Sequence, residues 1–229
     1  MTDHVHDLAL VREATERLLS AAGKLDNAAV AEASRLPDWT RGHVLAHLAR
    51  NADALVNVLA GRPMYASAEV RDADIARDAG RPLDAHLADL RAGAARFTEA
   101  AEAPGDPSRT VELRNGVTDS AARIPFRRLV EVELHHVDLG IGYELADLPA
   151  EFTARATGYL AARYSGHPGV PAVTLTAADG ARWRTGATEG APVAVTGTAP
   201  ALLGWLSGRG ARGADLTAAG APLPALPPL

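Results

Sequence analysis

Two short stretches of the sequence carry side chains that commonly bind metal ions. The first runs from His43 to His47, and the second runs from Glu131 to Asp138 and includes His135. Protein thiolate ligands are excluded because the 229-residue chain contains no cysteine. A nucleophile for thiol or hydrolytic chemistry would therefore come from a bound metal, a water molecule or an external cofactor.

The spacing of these side chains favours one shared ion. Glu131 and His135 are four residues apart, so on a helix their Cβ atoms would lie about 5 to 6 Å from each other, and Asp138 falls within the same arc. In the first stretch, His47 lies at the edge of the predicted apolar face, whereas His43 lies further towards solvent. His47, Glu131 and His135 thus form a candidate His2Glu set, the composition of catalytic zinc sites with an open coordination position.

The same residues have ordinary structural explanations as well. A histidine at a core edge is usually structural, and a Glu–His pair at this spacing often lies on a solvated helix face. Asp138 either orients a ligand histidine or is an exposed acid. Nickel, cobalt or iron would also accept these donors, although zinc is favoured. The remaining histidines are predicted to be surface residues: His4, His6, His86, His136 and His167.

Helical periodicity and capping residues predict the elements that position the two stretches. Asp3 is predicted to cap a helix that ends at Gly23, and Thr40 a long helix that ends at Gly61. Residues 62–81 are predicted to be a long excursion with one helical turn near 70–77. Further helices are predicted over residues 27–34, 83–103 and 125–143, with an irregular or weakly stranded segment over 105–121. Four long helices in this order indicate a bundle.

After Pro149 the pattern changes from long helices to short strands. A helix is predicted to run to about Tyr164, and Asp179-Gly180 forms the turn of a predicted hairpin. Another strand over 193–195, a helix opened by Thr198 and Pro200, and a last short strand after Asp215 complete the pattern. The sequence therefore predicts an α+β chain, with a helical domain over 1–147 and a smaller α+β domain over 148–229.

Composition limits the classes of partner. The formal net charge is -5, and the basic residues are scattered, which argues against nucleic acid and membrane surfaces as partners. The first residues lack the pattern of a signal peptide, and no apolar run reaches membrane-spanning length, so a cytoplasmic protein is expected. A monomer is favoured, with the oligomeric state left open.

The two metal-binding stretches also resemble a known family. Residues 38–55, the pattern Glu131-x-x-x-His135-His136-Val137-Asp138-Leu139, and the segments 71–75 and 201–209 are similar to mycothiol-dependent maleylpyruvate isomerases. This resemblance implies a DinB-like four-helix bundle followed by a small α+β domain similar to sterol carrier proteins. It also implies zinc on His47, Glu131 and His135, mycothiol as the thiol cofactor, and catalytic roles for Arg209 and Asp138.

The activity implied by the resemblance converts maleylpyruvate, a dicarboxylate, to fumarylpyruvate in gentisate degradation. A thiolate formed at the open zinc position would add to the enone, the carbon–carbon bond would rotate, and elimination would restore a trans double bond. Arg209 would hold a substrate carboxylate in two-point geometry. Without the resemblance, the favoured explanation of Arg209 is an arginine that satisfies a helix C-terminus.

Two other functions fit the same residues. A mycothiol S-transferase would use the same metal ligands and a different pocket to join mycothiol to electrophiles. A non-enzymatic protein would bind a small molecule in its C-terminal domain and use the metal structurally, with a fourth protein ligand such as Asp138 or His43. The residue pattern leaves the mycothiol-contacting residues unknown.

Overall fold

The computed structural model describes residues 3–210 and 213–227, and the chain divides into two compact units. One unit runs to Tyr143 and the other begins at Glu144. Within the described residues, every helix is too short or too polar to span a bilayer.

The first unit is a helical bundle with a small hairpin. Its helices are α1 (His4–Ala22), α2 (Asn27–Ala31), α3 (Arg41–Leu59), α4 (Ala68–Ala79), α5 (Leu83–Glu102) and α6 (Ile124–Asp138). Strands β1 (Thr110–Glu112) and β2 (Thr118–Ser120) pair in antiparallel fashion. Helix α3 packs against α4, α5 and α6, and α1 packs against α5 and α6. The four long helices therefore surround one apolar core, as the sequence predicts.

Side-chain caps begin the helices at the predicted residues. The Asp3 carboxylate accepts a hydrogen bond from the His6 N–H at the start of α1, and the Thr40 hydroxyl accepts one from the His43 N–H at the start of α3. The His43 side chain accepts in return from the Thr40 N–H, which completes a capping box. Such caps satisfy N–H groups that have no partner within the helix.

Helices α4 and α6 differ most from the sequence prediction, and the short helix predicted over 27–34 ends at Ala31. Residues 62–81 contain the 12-residue helix α4, capped by the Ser67 hydroxyl, rather than a single turn. Few apolar side chains of α4 are buried, so its periodic signal is weak. Helix α6 ends at Asp138 rather than Tyr143, because Gly140 adopts a left-handed φ of 64° and the Arg35 N–H donates to the Asp138 carbonyl.

Glycines let α3 approach its neighbours closely. A Cβ on Gly42 would lie 2.1 Å from the carbonyl oxygen of Ala79, at the end of α4. A Cβ on Gly93 of α5 would lie 3.2 Å from the Cβ of Ala52. The start of α3 is therefore held against α4, which places α4 beside the helix that carries His47.

The second unit combines two helices with a mixed sheet. Its elements are α7 (Ala150–Arg163), β3 (Val173–Ala177), β4 (Arg182–Thr185), β5 (Val193–Gly197), α8 (Ala199–Ser207) and β6 (Thr217–Ala219). The strand order is β4-β3-β5-β6, with β3 and β5 parallel and the other pairs antiparallel. Gly180 has a φ of 89° in the predicted hairpin turn. The α+β fold class is confirmed.

Candidate metal centre

His47, Glu131 and His135 meet between α3 and α6. Their donor atoms all lie within 4.8 Å of one another. The Nε2 atom of His47 is 3.0 Å from Oε2 of Glu131, and Nε2 of His135 is 3.4 Å from the same oxygen. The structure therefore brings together the three side chains that helical spacing selects in the sequence.

A buried arginine fixes α6 against α3 beside this cluster. Arg128 lies one turn before Glu131, and its Nη1 donates to the Leu48 carbonyl at 2.9 Å and to Oδ1 of Asn51 at 2.7 Å. Burial lowers the pKa of Arg128 to about 10, so the side chain remains charged at neutral pH. These hydrogen bonds hold the two donor-bearing helices in register. Sequence reasoning did not select Arg128.

His47 and Glu131 have the protonation states that binding of a cation requires. Burial, with a further contribution from the neighbouring His135, lowers the pKa of His47 to about 4. Burial opposes ionisation of Glu131, but hydrogen bonds from His135 and His47 hold its pKa well below the ordinary value. His47 is therefore neutral and Glu131 ionised at neutral pH, which is the form of these side chains that binds metal ions.

Asp138 lies behind one of the candidate ligands. Its carboxylate is buried, with 1% of the side chain exposed, and Oδ2 is 2.8 Å from Nδ1 of His135. A neutral His135 that donates its hydrogen from Nδ1 to Asp138 would have the lone pair of Nε2 directed at the cluster, as binding of a cation requires. The alternative of an exposed acid is therefore wrong, and Asp138 contacts the ligand rather than the position between the three donors.

The other histidines divide between caps, surface and core. His43 belongs to the α3 cap, where Nδ1 is 2.7 Å from Oγ1 of Thr40. The surface prediction is wrong for His86 and His136, each of which is 2% exposed. The neighbouring helices cover them, and His136 stacks on Tyr143 with ring centroids 4.1 Å apart. Helical phase within one element could not reveal this burial.

Trp39 and Arg71 contact His47, and Tyr65 lies next to Arg71. The ring of Trp39 lies with its centroid 5.6 Å from that of His47. Arg71, in the first turn of α4, has Nη2 3.3 Å from Nδ1 of His47, and its guanidinium carbon lies 5.9 Å from the ring centroid of Tyr65. Trp39 and Arg71 lie in the segments over 38–55 and 71–75 that resemble the family, but the sequence analysis assigns neither to the site. The segment over 71–75 was the available signal for Arg71.

Arg209 lies in the second unit, just after α8. Its Nη1 donates to the Ser207 carbonyl at 2.9 Å, and its backbone N–H donates to the Gly204 carbonyl at 2.7 Å. Both contacts belong to its own helix terminus. The catalytic role expected for Arg209 stays a prediction.

A four-helix bundle with a three-donor cluster, followed by an α+β unit, defines a class of two-domain proteins with a candidate metal centre. The family model described as the mycothiol maleylpyruvate isomerase N-terminal domain matches residues 11–140, and the MDMPI C-terminal domain matches residues 147–228. The chain therefore belongs to the mycothiol maleylpyruvate isomerase family.

Two solved structures share this fold along almost the whole chain. A crystal structure of the mycothiol-dependent maleylpyruvate isomerase aligns with a TM-score of 0.87, and a histidine-to-alanine mutant of that enzyme aligns with a TM-score of 0.89. Each is 26% identical to this chain, and each alignment covers 99% of this chain and 97% of the other. Comparison with curated proteins gives no match.

Proposed function

We propose that this protein is a zinc- and mycothiol-dependent isomerase, which converts maleylpyruvate to fumarylpyruvate by reversible thiol addition, bond rotation and elimination. The observation that carries the proposal is the convergence of His47, Glu131 and His135 in a chain of the mycothiol maleylpyruvate isomerase family. A role in gentisate degradation is part of the same proposal.

The donor set fits a catalytic zinc ion. Two imidazoles and one carboxylate match the His2Glu composition of zinc sites that keep a position for water or substrate. A closed structural site would need a fourth protein ligand, and the candidates for it are engaged elsewhere: Asp138 with Nδ1 of His135, and His43 with Thr40. The cluster found among the described residues contains three donors.

The chain contributes orientation and charge to the proposed chemistry. A zinc ion held by the three donors would supply a Lewis-acidic position that favours the thiolate form of mycothiol. Asp138 would keep the hydrogen of His135 on Nδ1, so that Nε2 stays available as a donor. The Trp39 ring beside His47 restricts the movement of that imidazole. Arg209 is proposed to bind a carboxylate of the dianionic substrate.

The test is a spectrophotometric isomerase assay on the purified protein with mycothiol. We expect turnover of maleylpyruvate that requires mycothiol, stops with a chelator and returns with zinc. Turnover that is unaffected by metal removal would overturn the metal dependence. Conjugation of mycothiol to electrophiles without isomerisation would instead assign an S-transferase.

His47→Ala tests the ligand assignment directly. We expect this variant to lose both zinc and turnover while the bundle stays folded, because the buried His47 side chain contacts the polar groups of Glu131 and Arg71 rather than filling the apolar core. The measurements are metal analysis of the purified protein and circular dichroism. The matched control is His43→Ala on the same helix, which should keep zinc and lose about 1 kcal/mol of stability with its cap. Full zinc occupancy in His47→Ala would mean that the ligand is wrongly chosen.

A further inference from the structure

The two candidate ligand histidines have opposite groups behind them. Both direct Nε2 at Oε2 of Glu131. The Nδ1 atom of His135 faces an acceptor, the Asp138 carboxylate, at 2.8 Å. The Nδ1 atom of His47 faces a donor, Nη2 of Arg71, at 3.3 Å. This asymmetry decides what each histidine can do when Nε2 holds a cation.

Coordination through Nε2 requires the hydrogen of a neutral imidazole to be on Nδ1. That hydrogen suits Asp138, which accepts it. It opposes Arg71, because a guanidinium has hydrogen-bond donors and no acceptor. The contact of Arg71 with Nδ1 and coordination of His47 through Nε2 therefore exclude each other. Once His47 binds a cation, this edge of the guanidinium must donate to another group.

The Nη2 edge of the Arg71 guanidinium is directed into the site. Its side chain is 15% exposed and lies near the ring of Tyr65. The other edge is already committed, since Nη1 donates at 2.6 Å to Asp72, whose side chain is 68% exposed. A partly buried guanidinium next to a metal centre matches a carboxylate, which accepts two parallel hydrogen bonds from such a group.

We infer that Arg71 binds a carboxylate of the substrate beside the metal, and that metal binding to His47 frees it to do so. This inference rests on the proposed function, because it takes the ligand to be the dicarboxylate substrate. Arg71 then links the two ligands thermodynamically. A dicarboxylate and zinc each raise the affinity for the other, as reciprocal coupling requires.

The experiment measures binding of maleate and zinc to the full chain by isothermal titration calorimetry, without thiol. We expect maleate to bind the zinc-loaded protein more tightly than the metal-free protein. In Arg71→Met, maleate affinity should fall about 10- to 100-fold, the effect of losing charge-assisted hydrogen bonds. Zinc affinity in that variant should stay the same or rise, because a donor opposing Nδ1 is removed.

The matched control is Arg77→Met on the same helix. Arg77 is exposed and pairs with Asp74 and Asp78, so its loss should leave maleate and zinc binding unchanged. An equal fall in Arg77→Met would mean that general charge explains the effect, and it would overturn the inference. Loss of zinc in Arg71→Met would do the same, since Arg71 would then support His47.

Arg71→Lys is a second variant that tests the same inference if Arg71→Met does not fold. Lysine retains the charge but lacks the planar pair of donors, so we expect intermediate maleate affinity with zinc retained. Wild-type maleate affinity in this variant would overturn the two-point contact. The binding assay involves no turnover, so maleate binding through Arg71 in a protein without isomerase activity would overturn the proposed function alone.

Discussion

The hydrogen bond between Asp138 and His135 determines which ring nitrogen of His135 can bind a cation. Asp138 is ideally placed to accept from Nδ1, because its carboxylate is buried against the ring at 2.8 Å. Partners of this kind orient ligand histidines and raise their basicity. Asp138 is therefore expected to influence metal affinity without contacting the metal.

Asp138→Asn tests this role at nearly constant side-chain size. We expect zinc affinity to fall about 10- to 100-fold, as for other partners of ligand histidines. Competition with a chromophoric chelator measures the affinity. Asp89→Asn is the control, because Asp89 pairs with Arg50 and Arg81 on another face of the bundle. An unchanged zinc affinity in Asp138→Asn would contradict the orienting role.

At the scale of residues, the sequence predicts which side chains share a face of one helix. It does not predict the contacts that those side chains make with other helices. The four-residue spacing of Glu131 and His135, and the phase of His47, suffice to select the cluster. Arg71 is missed because its contact with His47 arises only after α4 docks on α3. The burial of His86 and His136 is missed for the same reason.

His86, in helix α5, is expected to make the free energy of unfolding depend on pH. The side chain is 2% exposed, and burial lowers its pKa, against a hydrogen bond with the backbone of Ala79 that raises it. The unfolded chain therefore binds more protons at this residue than the folded chain does. The resulting stability is complete above the unfolded pKa of about 6.5 and decreases as the pH falls below it.

We expect His86→Gln to reduce this pH dependence. The free energy of unfolding of the wild-type protein should decrease between about pH 7.5 and pH 5.5 more steeply than that of the variant. Urea unfolding with a chelator present measures both, and the chelator removes any contribution of bound metal. His6→Gln, at an exposed position, should retain the wild-type slope. Parallel curves for wild type and His86→Gln would refute the expectation.

At the scale of elements, the contact between α3 and α4 depends on Gly42. A Cβ there would lie 2.1 Å from the Ala79 carbonyl oxygen, so backbone must shift to accommodate it. We expect Gly42→Ala to lower the free energy of unfolding by about 1 to 3 kcal/mol, the usual cost of overpacking. The shift should also weaken maleate binding, because Arg71 is carried by α4.

Gly80→Ala is the control for this substitution. Gly80 has a φ of -84°, and a Cβ at that position would have no neighbour within 4 Å. Alanine there should change stability by less than about 0.5 kcal/mol. Equal stability of the two variants in chemical unfolding would show that the close approach of α3 and α4 is not required.

Element prediction from this sequence is limited by the strength of local signals. The caps at Asp3 and Thr40 and the turn at Gly180 are specified by a few adjacent residues, and the structure contains each of them. Half of the residues of helix α4 are charged and few of the others are large and apolar, so the helical period is weak in its sequence. The early end of α6 depends on Arg35, which is distant in sequence and therefore invisible to a periodicity argument.

At the scale of the whole molecule, the candidate metal ligands and Arg209 belong to different units. His47, Glu131 and His135 all lie before residue 144, whereas Arg209 lies in the second unit. Metal binding and the proposed contribution of Arg209 are therefore separable by substitution. Asp138, Arg71 and Trp39 do not allow this separation, because each of them contacts one of the candidate metal-binding histidines.

Arg209→Ala should lose turnover and keep zinc. Removal of one charged group that stabilises a reacting anion typically costs about 10²- to 10³-fold in rate, and we expect that loss in kcat/KM for maleylpyruvate. Arg182→Ala, at an exposed strand position, is the control and should retain both properties. Normal turnover in Arg209→Ala would exclude Arg209 from the site. Loss of zinc would instead contradict the separation of Arg209 from metal binding, because this change alters none of the three candidate metal ligands.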